Sequence, residues 1–208
     1  KYKGKVSIIK VGTGEWRLTG ANDYAGTTTV KAGTLIVNGT HSGTGAVTVS
    51  KDATLKGKGS LAGRVSVVSG GTVAAGDTLV NAENLKLKGG LSLLAGSTVN
   101  IPLYAQDGKA KANKITVAGN FVINDAILDL DLTEVSSFKD DQVFQILDLT
   151  EATVSGTGFT QIEPERPSET QVWDTSLLLS KGLIYVRKDS QLGIHTATST
   201  TTKGDNYD

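Results

Sequence analysis

Thr29-Val30-Lys31-Ala32-Gly33-Thr34-Leu35 returns as Thr48-Val49-Ser50-Lys51-Asp52-Ala53-Thr54-Leu55 and again as Ser66-Val67-Val68-Ser69-Gly70-Gly71-Thr72-Val73. A fourth copy is Ser92-Leu93-Leu94-Ala95-Gly96-Ser97-Thr98-Val99. Val30, Val49 and Val67 stand 19 and 18 residues apart, and Leu93 follows 26 later, which leaves room for an inserted turn. Each copy is an aliphatic strand, a small turn, then a Thr or Val strand. One coil of a β-solenoid holds two or three short strands with their turns and needs roughly 18–25 residues. The spacing therefore predicts stacked coils, with Val30, Val49 and Val67 in one internal column and Leu35, Leu55 and Val73 in a second. Gly or Ala before the Thr is expected to supply the corner, since Gly takes positive φ without steric cost.

Strand periodicity agrees. Leu85, Leu87, Leu91 and Leu93 share one parity with Lys86, Lys88 and Ser92 between them, so one set points inward and the other to solvent. No 12-residue window sustains an i, i+3, i+4 apolar pattern. Thr133 to Asp141 reads as a loop with at most one helical turn. Lys114 to Phe121 reads as strand, turn, strand, and Ile127 to Leu132 alternates Leu128, Leu130 and Leu132 with Asp129 and Asp131.

Regularity fails after Val99. Gln142 to Leu149 is apolar on both parities, as in a strand covered on both faces. Gln161 to Gln171 is polar, holds Pro164 and Pro167, and reads as a loop. Leu177–Leu179 and Leu183–Val186, joined by Ser180-Lys181-Gly182, read as an antiparallel hairpin. Gln142 to Val186 is thus expected to form a lid, with Trp173 plugging it. From Gly193 the chain is Thr/Ser-rich and polar, as in a tail.

Lys plus Arg equals Asp plus Glu at 21 each. No electrostatic surplus exists to drive binding to nucleic acid or an anionic membrane. Cys is absent, which excludes disulfides and Cys-based metal sites and fits export through an oxidising compartment. Gly contributes 25 of 208 residues and Pro only 3, a balance that favours ordered turns over a flexible linker. With no Met, Lys1 is not expected to be the natural start, so the chain reads as a mature form or a fragment.

Gly14-Glu15-Trp16-Arg17-Leu18-Thr19-Gly20-Ala21-Asn22-Asp23-Tyr24-Ala25-Gly26-Thr27-Thr28, followed by Val30, Gly33-Thr34-Leu35 and Val37-Asn38-Gly39, closely resembles the autotransporter-associated β-strand repeat, also called the passenger-associated transport repeat. Downstream segments resemble the carboxy-terminal part of such passengers. They are Asn113 to Gly119, Phe144 to Asp148, Gly156 to Phe159, Trp173 to Leu177 and Gly182 to Val186. The resemblance spans roughly residues 12–187. It implies a right-handed parallel β-helix ending in a hairpin-capped autochaperone region, export from a Gram-negative cell, and a role in folding or presenting a longer passenger. The outer-membrane barrel that follows in autotransporters does not occur in this sequence. Similar repeats in secreted Bacteroidetes proteins precede a sorting module instead, and the tail suits a linker into either.

The chemistry-bearing residues are few. His41, in the turn-rich Asn38–Gly45 stretch, and His195, in the tail, have no Cys or second His nearby and read as solvent-exposed. Asp129 and Asp131 share one strand face about 7 Å apart. That spacing suits paired carboxylates of glycoside hydrolysis or a calcium site, set against the polar outer face of an alternating strand. Asp140 and Asp141 with Glu134 offer calcium ligands without a calcium-loop motif. Trp16, Tyr24, Tyr104, Phe159 and Trp173 could stack on sugars, although Trp16 and Tyr24 belong to the repeat signature and fit packing at a coil end. Arg64, Arg166 and Arg187 have no acid cluster that sequence places beside them. G-x-S-x-G, Walker and H-E-x-x-H motifs are absent, and Gly12-Thr13-Gly14 is a repeat turn. No catalytic, cofactor-binding or metal-binding residue is assigned.

The expected architecture is all-β: a single-stranded right-handed parallel β-helix with an irregular, hairpin-containing carboxy-terminal cap. Regular coils occupy 1–112, terminal coils and cap 113–190, and a polar tail or linker 191–208. The expected role is that of a non-catalytic structural segment of a secreted or surface-exposed protein. Its partner is the remainder of the parent polypeptide, an upstream passenger and a downstream anchor or sorting module, with no nucleic acid. The alternatives are an adhesin module that binds a glycan or host protein, and an accessory part of a polysaccharide-degrading enzyme.

Overall fold

The computed structural model describes residues 5–78 and 82–189. The expected tail and His195 lie outside the described residues. The chain is a parallel β-solenoid whose complete coils lay a strand on each of three faces. The first coil holds β1 (Ile8–Lys10) and β2 (Glu15–Leu18). The next holds β3 (Thr28–Val30), β4 (Gly33–Val37) and β5 (Thr40–His41), and then come β6 (Val47–Val49), β7 (Ala53–Lys56) and β8 (Ser60–Leu61). These are followed by β9 (Val65–Val67), β10 (Thr72–Ala74) and β11 (Asn84–Leu87). The longer coils use β12 (Leu91–Leu93), β13 (Thr98–Gln106), β14 (Lys109–Ala112), β15 (Lys114–Ile123) and β16 (Ala126–Glu134). The chain ends with β17 (Val143–Gln145), β18 (Leu147–Gly156), β19 (Phe159–Glu163), β20 (Gln171–Asp174), the helical turn α1 (Leu178–Lys181) and β21 (Leu183–Lys188).

Both predicted columns form. Val30 pairs with Val49, Val49 with Val67, Val67 with Leu93, and Leu93 with Ile123. Leu35, Leu55, Val73, Val99 and Leu128 are likewise in register. All these side chains belong to one buried core. Like residues stacked about 4.8 Å apart fill a narrow core without voids, and each is worth roughly 1.5–3 kcal/mol once buried. The extra residues implied by the 26-residue spacing lie between β10 and β11, at 75–83.

The corners differ from expectation. Positive φ falls on Asp52, Gly70 and Gly96, each two residues before the Thr, and only Gly33 directly precedes it. The corner amides stack as well: Asp52 N–H donates to the Gly70 carbonyl, and Gly70 N–H to the Gly96 carbonyl. Asp tolerates the left-handed region because its short side chain bonds locally. Lys114 to Phe121 is not strand, turn, strand; β15 runs on around the corner at Gly119 (φ 75°). It pairs with β11 through Lys114 to Val117 and with β12 through Phe121 to Ile123. Thr133 and Glu134 end β16, and a loop follows.

The lid is smaller than expected. β18 and β19 continue the solenoid, in parallel with β15 and β16. Gln161 to Glu163 is therefore strand rather than loop. Only β17, β20 and β21 leave the stack, forming a three-stranded sheet in the order β17-β21-β20. The Gln142 to Leu149 run splits between this sheet and the solenoid, so Phe144, Ile146 and Leu147 are buried while Val143 stays exposed. The hairpin arm is β20, antiparallel to β21, and not Leu177–Leu179. That segment becomes α1, which buries Leu178 and ends at Gly182 in the left-handed conformation. A short apolar run does not distinguish strand from helix, and a glycine cap of this kind favours the helix.

Candidate functional site: the two ends of the solenoid

At the lidded end, Phe138 meets Phe144 edge-on at 5.9 Å and Trp173 edge-on at 5.5 Å. Trp173 is 8% exposed, and its Nε1–H donates to the Pro164 carbonyl at 3.0 Å. The ring plugs the end as expected, but it does so within an aromatic cluster rather than alone. Arg187 then rivets the sheet. Its guanidinium bonds Asp141, lies 3.4 Å from Asp174 Oδ2, and sits 4.6 Å from the Tyr185 ring centroid. Hydrogen bonds from Ser176, with Arg187 adding to them, hold the Asp174 carboxyl below its ordinary value of 3.8. Sequence gave no warning of this acid pair around Arg187, because Asp141 lies 46 residues away.

At the other end β1 and β2 are the terminal strands of their sheets, with no described strand on their outer side. Trp16 continues the Leu35 column and is 47% exposed. Lys10 continues the Val30 column yet is buried. Its ammonium reaches the carbonyls of Val11 (3.0 Å), Gly12 (2.7 Å) and Ala32 (2.9 Å), which replace the water a buried charge requires. Residues 8–37 match the passenger-associated-transport-repeat family. The match opens on the first residue of β1 and closes on the last of β4. This chain thus carries an autotransporter passenger repeat, and the repeat forms the open end. No curated protein matches the chain.

Beside the repeat, His41 departs from expectation. It is 1% exposed, stacked on Tyr24 at 4.0 Å, with Nδ1 3.2 Å from the Asn22 carbonyl. Tyr24 in turn bonds Thr28 Oγ1 at 2.7 Å. A Cβ at Gly43 would lie 1.8 Å from the Tyr24 carbonyl oxygen, so the glycine run marks close backbone approach between coils and not a solvent loop. The pair Trp16 and Tyr24 therefore divides: Tyr24 packs on the next coil, and Trp16 is left half bare.

The carboxylates raised as candidates are engaged locally. Asp129 accepts from Asn100 Nδ2 at 2.8 Å, and Asp131 from Thr133 N–H at 3.0 Å. Asp140 accepts from Gln171 Nε2 at 2.7 Å and pairs with Lys188, and Glu134 ends β16. Among the described residues no three His, Cys, Asp or Glu side chains gather to hold a metal ion. Tyr104 is buried, which pushes its phenol upward, and Phe159 is half-buried on β19. Arg166 pairs with Asp189 at 2.8 Å, and Arg64 is exposed.

One network escaped sequence analysis altogether. Asp77, in the 75–83 insertion, bonds Arg17 of β2 and accepts from Asn38 Nδ2 at 2.8 Å. Glu83 accepts from Lys58 Nζ at 2.9 Å and from the Thr78 N–H at 2.9 Å, besides the Asp77 N–H. Burial pushes both carboxyls up, but these donors outweigh it and hold Asp77 below 3.8 and Glu83 below 4.5. Asp77 and Glu83 thereby tie the described residues of this segment to Arg17, Asn38 and Lys58 of earlier coils. Arg17 and Asp77 are 60 residues apart, so no local signal announces the contact.

Proposed function

We propose that this chain is a non-catalytic structural segment of a secreted or surface-exposed Gram-negative bacterial protein. Its lid closes one end of the solenoid, and its open end carries the stack on into further coils of the parent polypeptide. The single observation that supports this reading is the asymmetry of the ends. Phe138, Phe144, Trp173 and Arg187 seal one end, whereas at the other no described strand lies beyond β1 and β2 and Trp16 is nearly half exposed. An unprotected edge invites another strand, and solenoid coils interact mainly with neighbours, so folding that starts at a sealed end propagates outward. The placement of the passenger-associated-transport-repeat at the open end fits a unit that joins one coil to the next.

Pulse-labelling hydrogen exchange during refolding from urea tests this. Amides of β16 to β21 are expected to gain protection before those of β1 to β5. Protection that appears first in β1 to β5, or everywhere at once, would remove the lid as a folding nucleus. Deleting residues 144–186 is expected to leave an aggregating remainder, and a soluble, cooperatively melting truncation would count against the reading.

A further inference from the structure

A recess of about 250 Å³ opens where β14 turns into β15 beside the start of β11. Its frame is set by Asn113, which is fully buried. The Asn113 N–H donates to the Pro102 carbonyl at 3.0 Å, and its side-chain amide donates to the Ala75 and Thr78 carbonyls at 3.3 and 3.1 Å. The Asn113 Oδ1 accepts from the Glu83 N–H at 3.0 Å, and the Lys114 N–H donates to the Glu83 carbonyl at 3.1 Å. The walls are therefore held by hydrogen bonds to backbone, and the site is in place before any ligand arrives.

Tyr104 lies in this recess with its hydroxyl unused. It stands on β13 opposite Lys111 of β14, so the two side chains share a face, the one on which the recess opens. That face is turned away from the solenoid interior: Ile101 and Leu103 belong to the core cluster and Tyr104 does not. Tyr104 is nevertheless 1% exposed, and its hydroxyl makes no hydrogen bond among the described residues. A hydroxyl on so buried a side chain has little water to bond, and leaving it without a partner is costly. Burial also pushes the phenol upward, so the oxygen keeps its proton and can donate it. The charges around it are lopsided. Lys111 and Lys114 line the recess, and neither has an ion-pair partner among the described residues. The one carboxylate in the lining, Glu83, is already met by Lys58 Nζ and by the Asp77 and Thr78 N–H groups. Glu134, in register with Tyr104 on β16, is exposed and stands outside the lining.

We propose that this recess is a binding site for a small oxyanion group, a carboxylate or a phosphate. The Tyr104 hydroxyl donates to one anionic oxygen, and the Lys111 and Lys114 ammonium groups donate to the others. Such charge-assisted bonds are shorter and stronger than bonds between neutral groups, and they give the buried hydroxyl the partner it lacks. A concave site with a few convergent polar groups is the usual form of a ligand pocket. Pockets for drug-sized ligands run to about 300–1,000 Å³, so this smaller one takes a free acid or a single acidic unit at the end of a larger molecule. The proposal stands on the recess alone and is independent of the role proposed for the two ends.

The test is an amide nuclear magnetic resonance titration of the full chain with inorganic phosphate and with glucuronate, against glucose as the uncharged counterpart, all at one ionic strength. At least one anion should give saturable shifts centred on the amides of Glu83, Tyr104, Lys111 and Lys114, with glucose weaker by about tenfold or more. Binding of phosphate alone, of glucuronate alone, or of both supports the site and identifies which source of anionic oxygen it accepts. Tyr104→Phe removes only the hydroxyl and should weaken the bound anion by about fivefold or more at an unchanged melting temperature. Lys111→Gln, at an exposed position, should weaken it by about tenfold or more and leave the fold intact. Shifts that never saturate or spread evenly along the chain, equal binding of glucose, or a Tyr104→Phe variant that binds as the wild type does would overturn the proposal. Should Tyr104→Phe lower the melting temperature, Lys111→Gln decides, and undiminished affinity in that variant overturns it.

Discussion

Trp16 and Trp173 sit at opposite ends of the same stack. Both belong to apolar positions of strands, yet one is 47% exposed and the other 8%. What separates them is cover. A solenoid column protects a side chain only when something lies both above and below it. Trp173 has Phe138 and the lid sheet, whereas Trp16 has Leu35 on one side and nothing described on the other. The Val30 column shows the same rule with charge. Lys10 occupies its open end, where the backbone of Val11, Gly12 and Ala32 turns carbonyls toward the ammonium. Deeper in that column every residue is aliphatic, because no carbonyl is free to do so.

The largest effect should come from moving a charge inward along that column. Val49→Asp places a carboxylate between Val30 and Val67, fully buried and without a partner. An uncompensated buried charge costs about 3–5 kcal/mol, read as the loss in urea unfolding free energy. A loss below about 1 kcal/mol would mean that water reaches the column and that end and middle are alike. Next comes Trp173→Ala, expected to cost about 3 kcal/mol because the emptied space is bounded by other lid residues and collapses only in part. The melting temperature should fall. An unaltered melting temperature together with lost binding to a glycan would turn the lid tryptophan into a ligand platform.

Sequence revealed the parts of this fold that repeat at short range and hid the parts that do not. Val30, Val49, Val67 and Leu93 are legible because the fold brings together residues whose spacing already matches one coil. His41 was misread because glycines at 39, 43 and 45 suggest a solvent turn. Each instead permits a backbone approach that a Cβ would block, at 2.1, 1.8 and 1.9 Å from carbonyl oxygens of the preceding coil. Leu177 to Leu179 was misread because three apolar residues carry no period. The clamps of Arg187 and Asp77 were invisible because charge pairs assembled by stacking leave no trace in local spacing. The Asp129 and Asp131 face was legible as an alternating strand, and its hydrogen bonds to Asn100 and Thr133 belong to the outer surface.

The brace made by Asp77 and Glu83 ties earlier coils by a different route from the lid, and its removal should have an intermediate effect. Glu83→Gln keeps acceptor geometry but removes the charge that Lys58 and two backbone N–H groups share. A loss of about 1–2 kcal/mol at pH 7 is expected for charge-assisted bonds at a buried carboxylate. The folded protein holds Glu83 below 4.5, so its contribution is complete above that value and is lost as pH falls through the lowered one. The stability difference between wild type and Glu83→Gln should therefore shrink on acidification below 4.5 and vanish once both forms are neutral. A difference that persists undiminished there would assign the brace to packing and not to charge.

The smallest effect belongs to the bare end. Trp16→Ala removes a large ring, and an enclosed tryptophan would cost several kcal/mol. Here the ring is nearly half exposed and Leu35 beneath it keeps its neighbours in the next coil, so the loss should stay below about 1 kcal/mol. Iodide quenching gives a second readout, since the chain has only 2 Trp residues. The wild type should show one accessible and one protected population, and Trp16→Ala should abolish the accessible one without altering the other. A stability loss near that of Trp173→Ala, joined by protection of both tryptophans from iodide, would mean that the first coil is covered in solution. Sedimentation at rising concentration would then identify the cover. If the chain self-associates and Trp16→Ala restores the monomer, the edges of β1 and β2 are satisfied by a second copy, and the contrast between the two ends disappears in the assembly.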